Sequence, residues 1–164
     1  MRTLVLCSIP LVILAVLFGV MVVIPQRNLQ RRKQTMADMR TLSMAWEAYA
    51  TDHNSYSVDA FRGPNDVQQA TEFDKLHAVR IVDLERALSP TYVRKLPRND
   101  GWGKPFDVRT GGYDKEGRAA FYAIRSAGKD RLFERGPYEL KTITSLDSDL
   151  ILADGTFVRY PDAT

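Results

Sequence analysis

The stretch that decides the fold is LVLCSIPLVILAVLFGVMVVI, residues 4–24, which is apolar apart from Ser8 and is interrupted only by Pro10. A bilayer-spanning helix needs about 20 apolar residues, so this run is long enough. It continues directly into PQRNLQRRKQTMADMRTLSMAWEAYA, residues 25–50, which turns basic and keeps a helical periodicity. The sequence therefore predicts one long helix that spans a membrane over residues 1–26 and is amphipathic over residues 27–52.

The apolar run is predicted to be a retained anchor. A cleavable signal peptide has an apolar core of about 7–15 residues followed by small residues, and Ile24-Pro25-Gln26 does not fit such a cleavage site. By the positive-inside rule, the basic residues that follow would place the next domain in the cytoplasm. The same side chains are placed to contact anionic lipid headgroups. They are Arg27, Arg31, Arg32 and Lys33.

Charge is divided unevenly along the chain. Five of the 23 basic residues and none of the 20 acidic residues lie in residues 1–33, so the remainder has 18 basic against 20 acidic residues, a net charge of −2. A nucleic-acid-binding protein concentrates positive charge on its folded domain, so nucleic acid is not expected as a partner. The remaining length of about 130 residues suits one domain. The only cysteine, Cys7, lies in the apolar run, and no disulfide is expected.

Residues 27–52 contain one apolar stripe, typical of a helix face buried against a core. Its members recur at spacings of three and four: Met36, Met39, Leu42 or Ser43, Trp46 and Tyr49. The turn-forming sequence DHNS, residues 52–55, ends this periodicity, so the helix should end near residues 50–52.

Residues 53–164 are predicted to form one globular domain. We expect a loop over residues 57–71, then a helix that begins at Thr71 and ends at Ser89-Pro90, because a residue before proline avoids the helical conformation. Its buried face would contain Leu76, Val79, Ile81 or Val82, Leu84 and Leu88. Residues 92–97 should pack onto the core as a short apolar segment.

After Pro97 the sequence predicts strands. Residues 106–109 and 120–125 should form two of them, and residues 126–148 a long irregular stretch. Residues 149–153 and 156–160 predict a hairpin, because Asp154-Gly155 favours a two-residue type I′ turn. The order of elements predicts an α+β fold, with three or four antiparallel strands in a small antiparallel sheet packed on the long helix.

Three segments of the second half occur in the order found in a known family. DGWGKPF, residues 100–106, resembles the Asp-Pro-Trp-Gly-x-Pro-aromatic motif of the type II secretion system major pseudopilin. YAIRSAGKD, residues 122–130, resembles its Tyr-x-apolar-x-Ser-x-Gly-x-Asp segment, and DSDLI, residues 147–151, its Asp-x-Asp-apolar segment. Together with the long N-terminal span that passes through a proline, they resemble the type IV pilin-like family over nearly the whole chain.

The resemblance implies a pilin-like fold and a subunit of a type II secretion or related filament machine, which acts by assembly and is not an enzyme. Such subunits pack their apolar N-terminal helices together. The residues expected to serve assembly and membrane contact are Val12, Leu14, Leu17, Val20 and Pro25. The implied partners are the membrane and other copies or other pseudopilins, with no small-molecule substrate. The implied location is the bacterial inner membrane, single-pass, with the domain in the periplasm, contrary to the charge rule.

The family's prepilin leader is not matched. That leader has a basic stretch, a glycine and then Phe-Thr-Leu-apolar-Glu, whereas residues 1–46 contain no glutamate. We therefore expect a divergent member, and leave open whether it is processed, whether it polymerises and whether it is a major or minor subunit. The alternative is a single-span protein whose extracytoplasmic domain binds a partner without polymerising. A membrane-anchored enzyme has the least support.

The resemblance also implies a calcium site, with no other cofactor. The side-chain candidates are Asp130, Asp147 and Asp149, with backbone carbonyls near Arg125 and Gly128. Calcium prefers several hard oxygen ligands of this kind. The other interpretation is that Asp147 caps a turn and Asp149 begins a strand. The two histidines, His53 and His77, have no neighbouring cysteine or second histidine and predict no site.

Overall fold

The computed structural model describes residues 3–61, 67, 69–136 and 138–162, with side chains from residue 25 onward. Within these residues the fold is α+β, with a long N-terminal helix, a short second helix and a six-stranded sheet. The elements are α1 (Thr3–His53), β1 (His77–Val79), α2 (Ile81–Leu88), β2 (Asp107–Tyr113), β3 (Ala119–Ser126), β4 (Lys141–Ile143), β5 (Leu150–Ala153) and β6 (Thr156–Pro161).

Helix α1 is continuous, as the sequence predicts, and it ends at His53, close to the predicted end. Its apolar stripe is confirmed, because Met39, Leu42 and Trp46 are fully buried and Met36 and Tyr49 pack partly buried against the core. Two polar residues of the same face, Arg32 and Thr35, are buried as well.

The predicted membrane-spanning segment lies outside the described side chains. Val12, Leu14, Leu17 and Val20 belong to it, whereas Pro25 is described and exposed. Among the residues whose side chains the structure describes, no helix is both long and apolar enough to cross a membrane.

The sheet is mixed, which corrects the prediction of an antiparallel one. Its strand order is β1-β2-β3-β5-β6-β4, and all neighbours are antiparallel except β4 and β6. Strand β4 arises from the stretch predicted to be irregular and lies parallel to β6, with Lys141 opposite Arg159. A short edge strand of mostly exposed residues gives little sequence signal.

The predicted hairpin is confirmed at β5 and β6. Asp154 and Gly155 have φ angles of 46° and 76°, the positive values that a type I′ turn requires. The turn also continues the pairing with β3, because the amide of Tyr122 donates to Asp154 Oδ1 at 3.1 Å.

The predicted single helix over residues 71–89 is wrong. A 3₁₀ turn at Phe73–Lys75 is followed by strand β1, and only Ile81–Leu88 is α-helical. Pairing with β2 places Val79 opposite Val108, a contact that local periodicity does not reveal. The predicted helix end before Pro90 is confirmed.

The core has two parts. The larger contains Trp46 of α1, Leu84 of α2 and Tyr122 of β3, together with Leu96, so the apolar segment 92–97 packs as predicted. The smaller includes Phe73, Tyr138 and Ile151.

Candidate functional site

The loop of residues 99–105, which we call the docking loop, lies against helix α1. The amide of Gly101 donates to Thr35 Oγ1 at 2.8 Å, and the same hydroxyl donates to the carbonyl oxygen of Arg31 at 2.8 Å. A Cβ at position 101 would overlap the Arg31 carbonyl, so this close approach requires glycine. Nearby, Arg32 donates to the carbonyl oxygen of Ser145. The helix and the domain are thus joined at two points.

The three segments that carry the pseudopilin resemblance contact one another. Asp100 of the first accepts from Ser126 Oγ of the second at 2.7 Å, while its other carboxylate oxygen accepts two amides of the docking loop. The amide of Lys129 donates to Leu146 O at 2.9 Å. At Gly128, which has a φ of +70°, a Cβ would lie 2.9 Å from the carbonyl oxygen of Ser148 in the third segment. The backbone therefore brings the segments together beside α1.

A buried arginine, Arg125, lies on the face of the sheet that packs against the smaller part of the core, away from α1. The side chain of Arg125 is 4% exposed and lies 2.6 Å from Asp107 Oδ2, an ion pair between β3 and β2. Its guanidinium lies 4.3 Å from the centroid of the Phe73 ring and 4.4 Å from that of Phe133. Such cation–π contacts with aromatic rings are stronger when desolvated. Arg125 also donates to Tyr138 Oη at 2.5 Å, which holds the segment before β4.

Asp149 is the most enclosed carboxyl of this region, with 0% exposure. Its Oδ2 accepts from the amide of Glu134 at 3.0 Å and lies 3.9 Å from Arg125 Nη1. Its Oδ1 is buried without a hydrogen-bond partner among the described residues. Burial raises the pKa of Asp149 to about 7, because it disfavours the charged form.

The predicted calcium ligands do not form a cluster in the described part of the chain. Asp130 and Asp147 are exposed, and Asp130 Oδ1 accepts from the amide of Leu132 at 2.9 Å. Within the described residues, no group of three or more carboxylate, histidine or cysteine side chains is placed to hold a metal ion. The backbone at Gly128 and Lys129 adjoins that of residues 146–148, and Asp149 Oδ1 has no hydrogen-bond partner among the described residues. These contacts do not test calcium binding, which stays a prediction.

The side of α1 that faces away from the domain forms a second candidate site. We call it the outward stripe, and its exposed members are Ala37, Thr41, Met44 and Ala48, with Thr51 at its edge, where it borders a cleft that Arg118 of the domain also lines. None of these five is charged, although the exposed Arg40 borders the stripe, and Met44 is 70% exposed. The hydroxyls of Thr41 and Thr51 donate to carbonyls of their own helix, four residues earlier. The stripe therefore has few side-chain groups that need hydrogen bonds from a partner. Its alanines and threonines are residues that let two helices approach closely, and Met44 adds an exposed apolar side chain.

An Asp–His pair was missed by sequence reasoning. His77 Nε2 lies 2.8 Å from Asp59 Oδ2, and the ring of Phe61 stacks on the imidazole at 3.6 Å. His77 also borders a cleft of about 570 Å³. Nucleophilic catalysis would require a hydroxyl or thiol bonded to the imidazole, and none is among the described residues. The pair joins residues 18 positions apart, and only the fold reveals it.

Comparison with protein-family models, curated proteins and solved structures finds no match for this chain.

Proposed function

We propose that this chain is a membrane-anchored, pseudopilin-like subunit of a type II protein secretion or related type IV filament machine, and that it acts by assembly. The observation that carries the proposal is the difference between the two halves of α1. One continuous helix is apolar in sequence over residues 4–24, and the domain covers only one side of its second half. The outward stripe leaves the other side open to a neighbouring subunit.

Assembly would use both halves of the helix. In the membrane, lipid covers the apolar residues of α1; in a filament, helices of neighbouring subunits would cover the same surface. In the domain-bearing half, the outward stripe offers uncharged side chains to a neighbour, after a polar stretch that contains Gln30 and Lys33. The bonds from Gly101 to Thr35 and from Arg32 to Ser145 hold the domain against α1, so helix packing would also position the domains.

The contacts among residues 100–106, 122–130 and 147–151 also support the proposal. These segments are the ones that resemble the major pseudopilin, and they meet in space beside α1. In that family the domain lies outside the cytoplasm, so we place this domain in the periplasm, with the chain anchored once in the bacterial inner membrane.

Cysteine cross-linking in membranes tests the assembly step. In a Cys7→Ala background, single cysteines replace Val12, Leu14, Leu17 or Val20, and membranes are treated with an oxidant. We expect a ladder of oligomers from at least one position. A cysteine at the exposed Lys115 serves as the control and should give no ladder.

Two outcomes would contradict the proposal. Strictly monomeric chains at all four positions would favour the alternative, a single-span protein whose extracytoplasmic domain binds a partner without polymerising. A reporter fused after Thr164 that is active only in the cytoplasm would contradict the orientation and the pseudopilin interpretation with it.

A further inference from the structure

The basic cluster that follows the apolar segment is divided by the fold. Arg32 is buried, and its guanidinium donates to the carbonyl oxygen of Ser145. Arg27 and Arg31 are exposed, and neither has a side-chain hydrogen bond or ion pair with any residue that the structure describes. One arginine therefore holds the domain, while two others remain available to an external anion.

These two arginines lie in an open cleft of about 450 Å³. Its lining residues are Arg27, Gln30, Arg31, Gln34 and Gly101. The four helical residues form two pairs at i and i+4, which places each pair on one side of the helix. Gly101 belongs to the docking loop, so helix and domain build the cleft together. No carboxylate of the described residues lines it; Asp38, one turn further along, accepts from Gln34 Nε2 at 2.8 Å.

We propose that this cleft binds the phosphate group of an anionic phospholipid. A guanidinium presents paired N–H donors that match two phosphate oxygens, and these charge-assisted bonds are among the stronger hydrogen bonds in proteins. Two guanidiniums one helical turn apart can hold a phosphate from two sides, and the carboxamide of Gln30 adds a neutral donor.

The position along α1 argues that the phosphate belongs to a lipid. Arg27 lies three residues beyond Ile24, the last apolar residue, which is about 4.5 Å along a helix that rises 1.5 Å per residue. The headgroup layer on each side of the hydrocarbon core is about 5–8 Å thick. If residues 4–24 span the membrane, Arg27 lies within this layer, and Arg31 lies about 10.5 Å from Ile24 along the helix, just beyond the layer. A helical side chain tilts towards the helix N-terminus, so the long side chain of Arg31 can reach back to the headgroups. This inference therefore rests on the membrane anchoring in the proposed function.

A titration of lipid into the full chain in a neutral detergent tests the site, because a micelle lacks the surface charge of a bilayer. Phosphatidylglycerol, phosphatidylcholine and inorganic phosphate are the three probes, with bound molecules counted by native mass spectrometry. We expect phosphatidylglycerol to bind more tightly than either of the others. The Arg31→Gln variant should weaken it about tenfold, as expected for losing charged hydrogen bonds.

Lys33→Gln is the matched control. Lys33 is exposed on the same turn and carries the same charge, but it does not line the cleft. We expect this variant to bind phosphatidylglycerol within about twofold of the unchanged chain, because it loses only a general electrostatic attraction.

Three results would overturn the inference. The first is an equal loss of binding in both variants, which would show that general electrostatic attraction, and not the cleft, holds the lipid. The second is equal binding of phosphatidylglycerol and phosphatidylcholine. The third is equally tight binding of inorganic phosphate, which would show that the cleft binds phosphate in general and does not select a lipid. Chains that resist carbonate extraction from membranes yet give any of these results would leave the proposed function standing. Release by carbonate would contradict the anchoring itself.

Discussion

The amide of Gly101 and the hydroxyl of Thr35 are joined by a 2.8 Å hydrogen bond across 66 positions of the chain. Thr35 is fully buried, and its hydroxyl also donates to the carbonyl oxygen of Arg31 in its own helix. One hydroxyl thus forms hydrogen bonds with both the helix and the docking loop. The contact joins the domain to this turn of α1, and Gly101 also lines the cleft at Arg27 and Arg31.

The first prediction concerns this contact. Thr35→Val keeps the side-chain shape but removes the hydroxyl, which leaves the amide of Gly101 without its partner. A buried donor left without a partner costs about 1–3 kcal/mol; because this contact is only partly buried, we expect the free energy of unfolding to fall by about 1 kcal/mol. Urea unfolding of the full chain in detergent, followed by the combined fluorescence of Trp46 and Trp102 and by circular dichroism, measures it.

Thr41→Val is the matched control. The hydroxyl of Thr41 makes the same bond to the carbonyl four residues earlier, at 3.0 Å. It is exposed, and it accepts no hydrogen bond from a loop among the described residues. We expect a change within about 0.5 kcal/mol, as for most surface substitutions. Equal losses in the two variants would show that the bond to Gly101 contributes nothing.

The second prediction concerns Arg125. A lysine at this position keeps the positive charge but loses the planar group that lies over Phe73 and Phe133. It also cannot reproduce the separate bonds to Asp107 and Tyr138 from two nitrogens of one fork. We expect Arg125→Lys to lower the free energy of unfolding by about 2–3 kcal/mol, in the range measured for hydrogen bonds to charged groups. The same urea titration applies.

Arg94→Lys controls for the chemical change, because Arg94 is exposed. Its free energy of unfolding should stay within about 0.5 kcal/mol of the unchanged chain. A similarly small effect of Arg125→Lys would mean that the buried guanidinium acts only as a charge.

The elements with strong local signals were predictable from sequence. The repeating apolar residues from Met36 to Tyr49 define the buried face of α1, and Asp154-Gly155 can supply the two positive φ angles of the β5–β6 turn. Both depend on residues that are close together in the chain, where periodicity and turn chemistry act directly.

The elements defined by distant partners were not predictable. Strand β1 has three residues and exists because it pairs with β2, while its apolar spacing also fits a helix. The environment of Asp149 depends on Glu134 and Arg125, which no local pattern connects to it. The docking of Gly101 on Thr35 is of the same kind, because 66 positions separate the two residues.

The third prediction concerns calcium. If the site implied by the resemblance forms, millimolar calcium should raise the melting temperature of the full chain, because a ligand that binds only the folded state stabilises it. Asp130→Ala should remove the increase, since this side chain is exposed and available as an oxygen ligand. Differential scanning calorimetry in calcium and in magnesium separates specific binding from general ionic effects.

The control for calcium is Asp162→Ala, an exposed carboxylate outside the candidate segments. It should leave the calcium-dependent increase intact. If calcium does not change the melting temperature of the unchanged chain, the folded protein does not bind calcium at these concentrations.

The fourth prediction concerns pH. Burial raises the pKa of Asp149 to about 7, whereas its value in the unfolded chain is near the ordinary 3.8. The folded state therefore holds this proton more tightly, so its contribution to stability is complete below pH 4 and is lost as the pH rises towards 7. The slope is at most about 1.4 kcal/mol per pH unit.

Asp149→Asn tests this prediction, because an amide is isosteric and does not titrate in this range. Its oxygen can accept the bond from the amide of Glu134, and its NH₂ group can occupy the position of the unpartnered Oδ1. In calcium-free buffer, the variant should become progressively more stable than the unchanged chain between pH 4 and pH 7. Asp147→Asn, at an exposed carboxyl, should show no such trend. A constant difference between Asp149→Asn and the unchanged chain would mean that Asp149 is ionised in the fold throughout, with Arg125 as its counter-charge.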